Sequence, residues 1–149
     1  MVKLLPIDAS GAVALAPESM PDMMKTNCEA TAAFYRVVGF EPPWIGYVSV
    51  VEGRPVGGGA FKGAPLDGRV EIAYYTLPEL EGRGHATATA TALIRMARDA
   101  MPGIVLTAQT LAEPNASNAL LKKLGFVFLR AFRHAEDGDV WEWELAGNI

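Results

Sequence analysis

The chain has 149 residues, 13 Lys+Arg against 17 Asp+Glu, and a formal net charge of −4. Half of it is hydrophobic and 20% is charged, which excludes a disordered segment, and the length suits one domain, residues 1–149, rather than two with thin cores. A single cysteine, Cys28, excludes an internal disulfide framework and an all-cysteine zinc site, and the mild acidity leaves no electrostatic footprint for nucleic acid.

No stretch is long and apolar enough to span a membrane. The N terminus lacks the order of a secretory signal, because Lys3 is followed by few apolar residues before Pro6 and Asp8. The expected setting is therefore cytoplasmic and reducing, with Cys28 a small core residue.

In chain order, Val2–Leu5 and Ala12–Ala16 are expected as short strands. Asn27–Val38 reads as a helix with Ala30, Ala33, Phe34, Val37 and Val38 on one side and Gly39 as its stop; its start towards Pro21 is open. Glu41-Pro42-Pro43 then breaks the chain. Tyr47–Val51 and Val56–Phe61 flank Glu52-Gly53-Arg54 and read as a hairpin. Gly57-Gly58-Gly59 inside the second strand points to a bulge, or to close approach by another backbone or a ligand. Arg69–Leu77 is the next strand, ended by Pro78.

His85–Met101 is a helix, because Ala86, Ala90, Leu93, Ala97 and Met101 recur at helical spacing and Pro102-Gly103 stops it. Ile104–Ala108 is a short apolar strand. Asn115 or Ser117 caps a helix running to Leu124, with Gly125 just past its end. Phe126–Phe132 and Val140–Leu145 are the last strands. In the latter, Trp141, Trp143 and Leu145 alternate with Val140, Glu142 and Glu144, which places the tryptophans in the core and the acids on a wet face. Arg69–Ala108 thus forms one βαβ crossover between hairpins. The fold class is α+β: a mixed, mostly antiparallel central sheet with one parallel pair and helices on both faces.

The stretch between strand and long helix, Glu81-Gly82-Arg83-Gly84-His85-Ala86, has the makings of an anion cradle. Its glycines let backbone N–H groups converge, the helix N-terminus adds unpaired amides and a positive dipole end, and Arg83 adds a fork suited to phosphate. A plain strand-to-helix turn would use glycines too. A P-loop is excluded because His85-Ala86-Thr87 follows Gly84, and a Rossmann turn because Thr87 stands at the third glycine position.

Val70-Glu71-Ile72-Ala73-Tyr74-Tyr75 followed by Pro78 to Thr87 resembles the acetyl-CoA-binding segment of the GNAT superfamily of N-acetyltransferases. The family pattern Gln/Arg-x-x-Gly-x-Gly/Ala is met by Gly84 and Ala86 but begins with Glu81. Ala116-Ser117 with Leu120 to Phe126 resembles the family's second motif, and Val140 to Leu145 resembles the end of its ribosomal-protein-alanine N-acetyltransferase subgroup. The resemblance covers roughly residues 44–149. It implies acetyl-CoA as cosubstrate, no metal, and cofactor contacts at Leu77, Gly82, Arg83, Gly84, His85, Ala86, Thr87, Asn115 and Asn118. It also implies an acceptor side built from Pro21–Pro43 and Lys62–Gly68. Many relatives carry a tyrosine on the second-motif helix to reprotonate the departing thiolate; the matching residue here is Leu121.

Glu71 is the candidate base. It is a lone acid in an apolar strand, where burial would raise its pKa; the other reading is a cross-strand partner of a Lys or Arg. Ser117 is a candidate thiolate partner or CoA contact, or a helix cap. Tyr74 and Tyr75 face opposite sides of an ideal strand, one towards the acceptor cleft and one towards the core. His134 with Glu136, Asp137 and Asp139 has no recognised metal-ligand spacing and reads as a solvated turn. The expected activity is direct acetyl transfer to a primary amine of a small molecule or a peptide or protein N-terminus. The alternative is a non-catalytic acyl-CoA-binding module. Oligomeric state, a homodimer included, is left open.

Overall fold

The computed structural model describes residues 1–113, 115–136 and 138–147. A seven-stranded sheet runs in the order β1-β2-β3-β4-β5-β7-β6. Its strands are β1 (Lys3–Pro6), β2 (Gly46–Val51), β3 (Arg54–Phe61), β4 (Arg69–Thr76), β5 (Val105–Leu111), β6 (Val127–His134) and β7 (Gly138–Leu145). The helices are α1 (Asp22–Val38), α2 (His85–Ala100) and α3 (Ala116–Lys123). Among the described residues β4–β5 is the one parallel pair, and every other neighbour is antiparallel. The crossover through α2 imposes that direction, while the hairpins on either side impose the other.

The α2 stripe Thr89, Ala90, Leu93, Ile94 and Ala97 is buried against Val70, Ile72 and Leu106 on one face of the sheet, where Leu121 of α3 joins it. A buried hydrogen bond of 2.8 Å between Ser49 Oγ and Thr89 Oγ1 pins α2 to β2. On the other face, Met24 and Cys28 of α1 pack with Val48, Val50 and Leu77. Helices therefore cover both faces, and Cys28 is buried, with its thiol pushed above its ordinary pKa by that burial.

Three local expectations need correction, and the start of α1, left open by the sequence, is fixed by the structure. Ala12–Ala16 is not a strand; it is irregular chain leading into a 3-10 turn at Pro17–Ser19, where the proline opens the turn and no neighbour strand offers a ladder. Helix α1 starts at Asp22, just after Pro21, five residues before Asn27. Its buried stripe is Met24, Cys28, Ala32 and Tyr35, whereas Ala30, Ala33, Val37 and Val38 are exposed. Tyr35 decides that rotation: its hydroxyl donates to Ile7 O and accepts from Gly46 N–H, both at 2.8 Å, so its polar tip is satisfied where the ring is buried. In β7, Val140 is buried too, and the acids are not simply wet: Glu142 pairs with Arg130 and Glu144 with Arg69, each at 2.7 Å.

The glycine run in β3 answers to close backbone approach. A Cβ on Gly57 would stand 2.2 Å from Tyr75 O, and one on Gly59 would stand 2.8 Å from both Leu93 and Thr89 side chains. A register shift between Ser49 and Val50 marks a bulge opposite. Gly57→Ala forces β3 and β4 apart because the obstacle is backbone. The expected cost is about 3 kcal/mol, read as a lower urea midpoint with an unchanged slope.

Candidate active site

The site begins where β4 and β5 part. Their parallel ladder runs from Arg69↔Val105 to Ile72↔Ala108 and stops. Strand β4 nevertheless continues to Thr76 on β3, and β5 continues to Leu111 on β7. Residues 73–76 and 109–111 thus diverge in mid-sheet, leaving the β5-facing backbone groups of Ala73 to Thr76 out of the ladder. Backbone polar groups need partners, so such an opening suits a ligand with amides of its own.

The glycine loop stands at the C-terminal end of that opening. Pro78–Leu80 forms a 3-10 turn, and Gly82 and Gly84 take φ values of 80° and 85°. Gly84 is the N-cap of α2 in the left-handed region, with no side chain capping this helix end. The first helical bond runs from Ala88 N–H to Gly84 O, so the amides of His85, Ala86 and Thr87 precede the ladder. Glu81, Gly82, Arg83 and Gly84 are exposed, and His85, Ala86 and Thr87 are half-buried. The glycine-shaped turn and the uncapped helix start expected from the loop's composition are both present.

Glu71 lies just before the parting, on the face of β4 that carries Ala73 and Tyr75. Burial raises its carboxyl pKa above the ordinary range; the Lys62 charge pulls it back and Glu142 pushes it up further. Gln109 Nε2 stands 3.5 Å from Glu71 Oε1. Tyr75 packs with the α1-side core, and burial pushes its hydroxyl up to about 12. Tyr74 points to the α2/α3 side, where its hydroxyl is 3.2 Å from Ser117 Oγ. That pair bridges β4 to the head of α3, next to the opening. Burial raises the Tyr74 pKa and the Ser117 bond lowers it. The partnership was not legible locally, since 43 residues separate the two.

Two residues named as cofactor contacts have other work. Leu77 is buried with Met24 and Cys28, its N–H donates to Val56 O and its carbonyl accepts from Leu80 N–H, so its side chain and its N–H are engaged within the fold. Asn118 is buried at 5% exposure. Its Oδ1 accepts from the Thr110 hydroxyl and from Trp143 Nε1–H, the latter at 3.1 Å. Its Nδ2 donates to the carbonyls of Leu111 and Glu113. An amide side chain has two acceptor and two donor positions, and all four are taken, which leaves none for pantetheine. Asn115 caps α3, its Oδ1 accepting from Asn118 N–H at 2.9 Å. Ser117 is therefore not the cap. Leu121, the position of the missing tyrosine, is fully buried.

A cleft of about 540 Å³ lies between α1 and strands β2–β4. Met23, Asn27 and Phe34 of α1 line it, with Lys62, Ala73 and Tyr75 from the sheet side. It uses the face of α1 next to the buried stripe, which is why Phe34 and Ala30 are apolar without being core. Lys62 could have been found from hairpin register, because its N–H donates to Glu71 O at 2.9 Å. The segment read as a solvated turn holds an exposed hydrogen bond from Glu136 N–H to His134 Nδ1, and Asp137 lies outside the described residues. Among the described residues no group of three or more His, Cys, Asp or Glu is placed to hold a metal, and no helix is long and apolar enough to cross a membrane.

The chain matches the family model described as Acetyltransferase (GNAT) domain over residues 8–127, and it belongs to that family. No curated protein matches it in sequence. Among solved structures it is similar to RimL, a ribosomal L7/L12 alpha-N-protein acetyltransferase: TM-score 0.74 and 14% identity over 99% of this chain and 94% of that one. It is also similar to yncA of Salmonella typhimurium, solved with its cofactor acetyl-CoA, with TM-score 0.66 and 20% identity over 100% and 95% of the two chains. A third is the ribosomal-protein-alanine N-acetyltransferase of Brucella melitensis, with TM-score 0.64 and 22% identity over 93% and 86%.

Proposed function

We propose that the protein is an N-acetyltransferase that moves an acetyl group directly from acetyl-CoA to a primary amine. The observation that carries this reading is the parted β4–β5 pair lying beside the uncapped, glycine-shaped start of α2. Acetyl-CoA supplies an acetyl group activated as a thioester, which an unprotonated amine can attack. The amides at residues 84–87, with Arg83, hold the pyrophosphate, and the freed edge of Ala73–Thr76 meets the pantetheine amides. Gly82 and Gly84 shape the cradle, and His85, Ala86 and Thr87 form its floor. Asn115 and Asn118 support it by fixing α3 rather than by touching the ligand.

Glu71 receives the proton that the amine loses as its bond to the acetyl carbon forms. A backbone N–H of the freed β4 edge donates to the carbonyl oxygen as charge gathers there. The C–S bond breaks, and the Ser117–Tyr74 hydroxyl pair returns a proton to sulfur. Glu71 then passes its proton to solvent and the hydroxyl pair recovers one from it, so the exchange balances without a residue at the Leu121 position. A single domain in a reducing, cytoplasmic setting is part of the same reading.

Purified protein with acetyl-CoA and a panel of amines and peptides should release CoA thiol in proportion to amine acetylation. Tight acetyl-CoA binding without release across the panel would instead identify a non-catalytic acyl-CoA-binding module. Gly84→Ala tests the cradle. An L side chain in the left-handed region costs about 1–2 kcal/mol, so the melting temperature should fall by a few degrees and acetyl-CoA should bind about tenfold more weakly. Calorimetric titration reads both variant and parent.

A further inference from the structure

We infer that the acceptor is a small zwitterionic amine with a hydrophobic body, of the kind represented by a free apolar or aromatic α-amino acid, bound in the cleft between α1 and the sheet. This rests on the acetyltransferase reading above and names the substrate of that same site.

Four features carry it. The cleft borders the reaction point: Ala73 and Tyr75 line it, and Ala73 is the first β4 residue beyond the parallel ladder. Its volume, about 540 Å³, suits a small molecule. Its floor is hollowed by Gly46, Ala60 and Ala73, which stand in register across β2, β3 and β4. Met23, Phe34 and Tyr75 make its walls apolar enough to take a hydrocarbon or aromatic side chain.

Charge then selects among amines. Among the described residues lining the cleft, Lys62 is the one charged residue, and the carboxylate of its backbone-bonded neighbour Glu71 stands beside the lining rather than in it. Its ammonium is held 5.4 Å from the centre of the Phe34 ring, at the cleft's rim. A second positive charge on the acceptor would find no partner there and would meet Lys62. Lys62 and Glu71 are cross-strand neighbours, joined by the backbone bond from Lys62 N–H to Glu71 O. An α-amino acid carries its ammonium and carboxylate one carbon apart, so it can present the first to Glu71 and the second to Lys62 together. Polyamines and basic peptide tails fail this match, and an uncharged arylalkylamine body uses only half of it.

The test follows CoA release with phenylalanine, leucine, phenylalanine amide, phenethylamine, spermidine and an alanine-initiated peptide. The free amino acids should give the highest kcat/KM. The acid should exceed its amide by about tenfold or more, the effect of one charge-assisted hydrogen bond. Lys62→Met should erase that acid-over-amide ratio, and Lys62→Arg should keep it. The ratio compares two substrates of one variant, so a changed titration of Glu71 cancels from it. Spermidine or the peptide as best substrate, or a ratio that survives Lys62→Met, overturns the inference while leaving the acetyltransferase reading intact. If no amine is turned over, that reading fails. Ligand-detected NMR of phenylalanine against phenylalanine amide then still decides the cleft's preference: Lys62-dependent binding of the acid supports it, and equal or absent binding refutes it.

Discussion

Glu71→Gln is expected to lower kcat/KM by roughly 10²–10⁴, the usual range for loss of a general base, without weakening acetyl-CoA binding or lowering the melting temperature. The carboxyl is partly withdrawn from water, and burial is the largest cause of its raised pKa, ahead of the opposing Lys62 charge and the reinforcing Glu142 charge. A raised pKa moves a carboxylate towards the basicity needed to take a proton from an ammonium. The parent kcat/KM should therefore rise with pH through the Glu71 titration, and the variant should lose that limb.

The stability consequence has the opposite sign from that of an ordinary ion-paired acid. For Glu71 the folded pKa lies above the unfolded one, so the native state holds the proton more tightly. Between the two values stability falls as pH rises, and the penalty of the buried charge is fully present above the folded pKa. Glutamine removes that penalty at neutral pH and keeps a partner for the Gln109 amide. The melting temperature should then be equal or higher while activity falls, as expected where a destabilised group serves chemistry. A kcat/KM and pH profile equal to the parent's would make Glu71 a cross-strand partner of Lys62 and remove it from the mechanism.

Asn118→Leu is expected to be among the most damaging single changes to stability. It strips partners from the Thr110 hydroxyl, the Trp143 indole N–H and the carbonyls of Leu111 and Glu113 in one step. Thr110 and Trp143 keep their mutual contact at 3.0 Å, so the loss is partial for them and total for the carbonyl contacts made by Asn118. The cost should be about 3 kcal/mol, seen as a fall of roughly 6–12 °C in Tm. Asn118→Asp keeps the acceptors for Thr110 and Trp143 but cannot donate to the carbonyls, and it should lose stability by a different route, through a buried charge. Because Asn118 ties α3 to the end of β5, a surviving Asn118→Leu protein should also show slower acetyl transfer, through displacement of Ser117 from Tyr74. A Tm within a degree of the parent would show that the network adds nothing to the fold.

Much of the scaffold was legible because its signals are local. Pro78, Gly82, Gly84 and Pro102-Gly103 punctuate the crossover, and each acts through its own backbone geometry or its immediate neighbours. The alternation in β4 already placed Tyr74 and Tyr75 on opposite faces. Where the reading failed, the deciding partner was distant in the chain. The rotation of α1 depends on Tyr35 reaching Ile7 and Gly46, 28 and 11 residues away. Asn118 resembles a ligand-facing amide until Trp143 is seen to use it, and Leu77 resembles an open strand end until Met24 and Cys28 cover it.

By itself the sequence determined the order of elements, the single crossover and the glycine-shaped helix start, since propensity, period and positive φ are properties of short segments. Only the tertiary structure decided where β4 leaves β5, which polar side chains are already satisfied, and that Lys62 and Glu71 stand together beside an apolar cleft. Those are matters of register and packing between segments far apart in the chain.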